Sequence, residues 1–188
     1  MNRPVIAIFG GSRCSPRDWE YQEAERLGHQ LAEAGYVVCT GGYTGVMEAA
    51  NRGAWRAGGE SWGVTADIFP DPPNPYLSRE IRTRDVLERL QIISELAHGF
   101  IALRGGIGTL AEVTLFWNLA LLDQARTSKP LILLGECWEP ILTGLLAHLA
   151  FRPKDLMALI RVPSAEDAVR EISRHVPRVL FAPREEGP

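Results

Sequence analysis

Gly99-Phe100-Ile101-Ala102-Leu103-Arg104-Gly105-Gly106-Ile107-Gly108-Thr109 reads as a buried strand, a glycine-rich turn and the opening of a helix. The run from Gly99 to Leu103 is apolar without alternation, as a strand covered on both faces must be. A helical pattern follows over residues 109–122. That order sets a helix N-terminus, with its unsatisfied N–H groups and partial positive charge, at the carboxyl end of a parallel strand. Glycine in such a turn lets an anion approach the backbone.

The same alternation extends on both sides. Val5-Ile6-Ala7-Ile8-Phe9 is an apolar strand closed by Gly10-Gly11. Ser15-Pro16-x-Asp18 has a helix-start composition, with Ser15 as N-cap and Pro16 at the first helical position. Gly35 is the natural stop of that helix. Tyr36-Val37-Val38-Cys39-Thr40 is a second strand, followed by Gly41-Gly42-Tyr43-Thr44-Gly45, a helix over residues 46–57 and a strand over residues 61–65. Asp71-Pro72-Pro73-Asn74-Pro75 makes residues 67–78 a surface loop, since proline removes donors and restricts its predecessor. A helix over residues 86–97 leads into the Gly99 strand. Beyond it lie strands over residues 130–134 and 159–162, a helix over residues 138–149, and a last helix opened by Ser164-x-x-Asp167. Alternation with short links predicts a single Rossmann-like α/β domain over residues 1–182, a parallel sheet with helices on both faces, and a frayed tail over residues 183–188.

Composition narrows the function classes. A net charge of -3 over 188 residues, with no basic run, speaks against a nucleic-acid partner. Cys14, Cys39 and Cys137 form neither a metal spacing nor a disulfide framework. His29, His98, His148 and His175 are scattered, so no metal is expected. No leader pattern opens the chain and no apolar run nears ~20 residues, which predicts a soluble, cytoplasmic protein without a membrane partner.

Three glycine-rich loops follow strands: Gly10-Gly11-Ser12-Arg13, residues 41–45 and residues 105–109. Each alone is compatible with a tight turn; together they point to phosphate capture. The order G-G-x-G-T is not the dinucleotide fingerprint, the Walker pattern is missing, and Thr40-Gly41 stands where an acid would hold a second ribose. One phosphate fits better than a dinucleotide. Thr109-x-x-Glu112 reads either as a capping box or as a carboxylate placed beside the ligand's sugar. Arg79 and Arg82 read as solvated surface. Arg84 and Arg89 flank the start of the helix at 86–97 and face either solvent or the cleft.

Gly41-Gly42-x-x-Gly45-Val46-Met47-Glu48-Ala49-Ala50-Asn51 and Leu103-Arg104-Gly105-Gly106-Ile107-Gly108-Thr109-Leu110-Ala111-Glu112 resemble the Lonely Guy (LOG) family, cytokinin-nucleotide phosphoribohydrolases often labelled "possible lysine decarboxylase". Gly11-Ser12-Arg13 and Asn74-Pro75-Tyr76 extend the resemblance, which runs over residues 5–146. It implies Glu112 and Arg89 as catalytic residues. It places phosphate and substrate on Gly105, Gly106, Ile107, Gly108 and Thr109, with Ser12, Arg13, Gly41, Gly42, Gly45, Glu48, Asn51 and Arg84 as further contacts. Arg104 stands where the family has proline, Leu90 where it frequently has lysine, and Tyr43 where it has glycine.

The implied activity is hydrolysis of the N-glycosidic bond of a purine nucleoside 5′-monophosphate, AMP or cytokinin-like, to free base and ribose 5-phosphate, with no cofactor. A pyridoxal-phosphate decarboxylase is disfavoured, because Lys129 and Lys154 are the lysines and neither is near a glycine loop. The resemblance also implies a homodimer, with Trp117 and Trp138 on late helices as interface aromatics. Trp117 and Asn118 are candidates to line the base pocket. The alternative is a carrier that binds a nucleotide or the molybdenum cofactor without turnover, a role that needs no Arg89/Glu112 pair.

Overall fold

The computed structural model describes residues 3–122 and 129–177; the tail expected over residues 183–188 lies outside the described residues. In chain order the elements are β1 (Val5–Phe9), α1 (Trp19–Glu33), β2 (Val37–Thr40), α2 (Val46–Arg56), β3 (Ser61–Ala66), β4 (Arg79–Thr83) and α3 (Val86–Leu96). They continue with β5 (Gly99–Ala102), α4 (Ile107–Leu122), β6 (Leu131–Leu134), α5 (Trp138–His148), a 3-10 segment (Pro153–Ala158), β7 (Leu159–Val162) and α6 (Ala165–His175). All seven strands are parallel, in the order β4-β3-β2-β1-β5-β6-β7. The chain builds outward from β1 to β4, returns through α3, and builds outward again from β5. The carboxyl ends of β1 and β5 therefore flank the switch point at which open sheets bind ligands.

Strand side chains alternate between two cores, which is why their sequences are apolar throughout. Ile6, Ile8, Val38, Ile101, Ile132 and Leu134 meet Leu27 and Leu31 of α1, Ala50 of α2 and Ile172 of α6. Ala7, Phe9, Cys39, Phe100, Leu131 and Leu133 meet Ile93 of α3, Phe116 of α4 and Trp138 and Leu142 of α5. Helices cover both faces, as expected. Among the described residues no helix is long and apolar enough to cross a membrane.

Several local expectations are corrected. α1 begins at Trp19 rather than at Pro16, because the Asp18 carboxylate turns back to accept from the backbone N–H and hydroxyl of Ser15, at 2.7 and 2.8 Å. That turn consumes residues 15–18. β4 is an element that reading the sequence missed. Its residues, Arg79-Glu80-Ile81-Arg82-Thr83, are charged because it is an edge strand, and charges guard an edge against further pairing. Arg79 lies over the Trp62 ring, and Arg82 pairs with Asp67 at the surface. Ser164 caps α6 as expected, accepting from the Asp167 amide.

Asn51 on α2 ties the site half of the molecule together. Its Oδ1 accepts from Thr40 Oγ1 at 2.7 Å and from Asn74 Nδ2 at 3.0 Å, and its Nδ2 donates to Ser61 Oγ at 2.7 Å. Asn74 in turn donates Nδ2 to the Tyr43 carbonyl and its backbone N–H to the Gly42 carbonyl. One fully buried amide thus joins β2, β3, α2 and the proline-rich loop. Removing it strands buried hydroxyls and an amide that water cannot reach. Asn51→Ala is expected to lower unfolding free energy by roughly 2–4 kcal/mol in urea titration; a loss below about 0.5 kcal/mol would contradict this role.

Candidate active site

The glycine turn after β5 and the loop after β1 are lashed together at the switch point. Gly11 N–H donates to the Arg104 carbonyl at 3.0 Å, and Val46 N–H to the Gly11 carbonyl at 2.9 Å. A Cβ on Gly105 would stand 2.1 Å from Thr109 Oγ1, so the turn needs glycine to close. Gly106 and Gly108 differ: a Cβ on either meets nothing within 4 Å, and neither has a positive φ. Packing does not ask for glycine at these two positions. What their missing side chains leave open is the approach to the N-terminal N–H groups of α4.

α4 starts at Ile107, two residues before the expected Thr109 start, with the Leu110 amide donating to the Gly106 carbonyl. Thr109 is therefore buried inside the first turn rather than at the N-cap, and the Thr109–Glu112 capping box does not form. Glu112 lies deeper along the helix, where its carboxylate meets Arg89.

Arg89 sits in the first turn of α3, which opens on Asp85 accepting from the Glu88 amide. Its side chain is only 10% exposed, and Nη2 stands 3.9 Å from Glu112 Oε1, too long for a hydrogen bond. Its Nε has no partner among the described residues. A Cβ on Gly41 would fall 1.7 Å from Arg89 Nη2, so the glycine after β2 is the hole into which the guanidinium fits. The rings of Tyr43 and Phe69 lie 5.9 and 5.7 Å from its central carbon. Burial pushes the Glu112 carboxyl up to about 7, against the opposing pull of the Arg89 charge. A half-paired guanidinium and a carboxyl poised near neutrality thus share one cleft.

The other expected contacts divide. Ile107 and Gly108 are exposed at the mouth, as are Ser12 and Arg13 on the facing loop. Gly41, Gly42 and Gly45 are buried and approach the chain closely: Gly41 admits Arg89, and Gly45, at φ 69, backs onto the Gly11 carbonyl. Asn51 is fully buried in its own network. Glu48 accepts from the Tyr21 hydroxyl of α1. Arg84 projects into solvent and pairs with Glu88. Arg104 pairs with Glu20 at 3.0 Å, so its extra charge is largely answered within the chain. Leu90, where the family often has lysine, packs against the apolar core. Trp117 is buried, donating to the Asp155 carbonyl and stacking on Phe151. Reading the sequence missed Tyr43 and Phe69 beside Arg89. Their proximity is set by a crossover and a loop that no spacing rule links.

Residues 47–172 match the family model described as "Possible lysine decarboxylase". The chain belongs to this family, the LOG family. It is 29% identical to the pyrimidine/purine nucleotide 5′-monophosphate nucleosidase of Escherichia coli K12 over 97% of this chain and 43% of that protein. The chain thus spans less than half the length of that relative. It is also 29% identical to the cytokinin riboside 5′-monophosphate phosphoribohydrolase of Mycobacterium tuberculosis, over 88% of this chain and 91% of that one. Among solved structures it resembles the molybdenum cofactor binding protein of Rippkaea orientalis, with a TM-score of 0.75 and 27% identity over 93% and 98% of the two chains.

The Glu112 titration tests the electrostatics directly. A 13C NMR titration of its Cδ is expected to inflect near pH 7 instead of the ordinary 4.5. Arg89→Gln removes the one charge opposing desolvation and should move the inflection higher. The folded chain then holds a proton the unfolded chain releases, so this group's contribution to stability declines as pH rises from 4.5 to about 7. An inflection below 5 would refute the burial account.

Proposed function

We propose that this cleft hydrolyses the N-glycosidic bond of a purine nucleoside 5′-monophosphate, AMP or a cytokinin-like nucleotide, releasing free base and ribose 5-phosphate in the cytoplasm. The observation that carries the reading is the Arg89–Glu112 pair, 3.9 Å apart, beside a helix N-terminus kept open at Gly106 and Gly108. The names of the Escherichia coli and Mycobacterium tuberculosis relatives agree with it.

The 5′-phosphate accepts from the first N–H groups of α4, where the helix dipole favours an anion. That contact is remote from the bond broken, and it positions the sugar. As the C1′–N bond lengthens, its electron pair leaves with the base and positive charge builds on the sugar. The Glu112 carboxylate faces that charge, as carboxylates do in O-glycoside cleavage. Water adds to C1′ and passes a proton to Glu112, whose poise near 7 suits a base at neutral pH. The departing base takes up a proton from solvent. Arg89 draws the Glu112 carboxyl back toward the ionised form against its burial and, with an unpartnered Nε, has hydrogen-bonding capacity to spare for phosphate or sugar hydroxyls.

A pyridoxal-phosphate decarboxylase does not fit these residues. Lys129 donates to the Ser94 carbonyl at the amino end of the sheet, opposite the glycine loops, and Lys154 lies in the 3-10 segment. Likeness to a molybdenum cofactor binding protein supports a second reading as a carrier. A carrier that keeps its ligand intact has no use for a carboxylate beside Arg89. Glu112→Gln keeps the shape and removes the charge. It is expected to reduce base release from AMP by at least about 100-fold while AMP binding holds within about tenfold. Most of the activity surviving in Glu112→Gln, or AMP left intact by the wild type, would favour the carrier.

We further propose a homodimer, on different grounds from those first expected. Trp117 and Trp138 are spent inside the protomer. Among the exposed apolar side chains, Ile107, Leu115, Leu119 and Leu122 of α4 recur at helical spacing and form one stripe. Sedimentation equilibrium should give twice 20.8 kDa at micromolar concentration, and Leu119→Glu should shift the species toward 20.8 kDa. A wild-type monomer would overturn this.

A further inference from the structure

Beside the Arg89–Glu112 pair stands an aromatic corner that the hydrolytic reading leaves without a task. Tyr43 is fixed by both backbone groups of one residue: its hydroxyl donates to the Ala66 carbonyl at 3.0 Å and accepts from the Ala66 amide at 2.9 Å. The ring is thereby laid across the carboxyl ends of β2 and β3. Phe69 meets it edge-on, with centroids 5.4 Å apart and planes at 70°. Tyr43 is buried, whereas Phe69 keeps 40% of its surface exposed. The two rings also line a cavity of about 270 Å³ beneath the proline-rich loop, with Thr65, Pro70 and Glu80 among its walls.

The order of these groups along the sheet matches the order of parts in a nucleotide. The open helix N-terminus is at the β5–β1 boundary, Arg89 fits against Gly41 at the end of β2, and the aromatic corner spans β2 and β3. At about 4.8 Å per strand, the corner lies roughly 10 Å across the sheet from the phosphate loop, comparable with the reach from a 5′-phosphate to its base. A half-exposed ring in that position is suited to stacking, which binds any base through its π-face.

We infer that Phe69, braced by Tyr43, is the platform on which the substrate's base stacks, with the adjoining cavity receiving the far side of the ring system. The inference rests on the nucleotide reading above and adds a residue that sets how tightly the base is held. Phe69 touches the base and does no chemistry. The Tyr43 hydrogen bonds and the Asn74 anchor hold the platform at a fixed height over the sheet.

Calorimetry with AMP and with ribose 5-phosphate tests it, in a Glu112→Gln background so that AMP stays intact. Phe69→Ala is expected to weaken AMP by about tenfold or more while ribose 5-phosphate binds as before. Phe69→Trp should restore AMP to within about threefold. Thermal melts verify that both variants fold. Unchanged AMP affinity in Phe69→Ala, or equal losses for AMP and ribose 5-phosphate, overturns the platform while leaving phosphate capture standing. Failure of ribose 5-phosphate to bind before Phe69 is altered instead overturns the nucleotide reading, and the platform with it.

Discussion

Burial of the Arg89 guanidinium is the constraint around which the cleft is arranged. A charge out of water is costly unless its surroundings answer it. Here the answer is incomplete. Glu112 stands 3.9 Å away and Nε is unpartnered, while the Tyr43 and Phe69 rings supply cation–π contact. Gly41 gives up its side chain so that the guanidinium can lie against β2. An ion pair closed tightly would be more stable and less useful, since its members would have no bonding capacity left for a ligand. The incomplete pairing also leaves desolvation as the stronger influence on Glu112, which pushes that carboxyl up to about 7.

The fold was legible because parallel strands covered on both faces leave an unmistakable trace. Runs such as Val5–Phe9 and Leu131–Leu134 have no polar alternation and each ends at a turn. β4 escaped for the opposite reason: an edge strand presents charge, and Arg79-Glu80-Ile81-Arg82-Thr83 has no apolar face to betray it. The helix starts were the least legible. At Ser15 and at Thr109 the right residue types for a cap were present, yet the backbone used them otherwise, since a side chain able to cap is equally able to close a turn or to pack.

The site divides along the same line. Glu112 and Arg89 come from segments separated by β5, and it was resemblance to a family, not spacing, that linked them; the structure brings them together. Glycines were less informative than their number suggests. Gly41 and Gly45 are explained by close approach within the chain, whereas Gly106 and Gly108 face open space. A glycine motif records both kinds without distinction. Asn51 is ambiguous in the sequence for a related reason. A buried amide and a ligand-binding amide look alike until their hydrogen-bond partners are known.

Asn74 fastens the middle of the proline-rich loop to the body of the domain, by two hydrogen bonds to the 42–43 backbone and one to Asn51. Asp71, Pro72 and Pro73 beside that rivet are exposed and belong to neither of the two cores. The loop is therefore a replaceable part. Descendants of this sequence are free to lengthen, shorten or repaint it, and so to change which molecule is admitted, without reopening the questions of how the domain folds or how an anion is gripped.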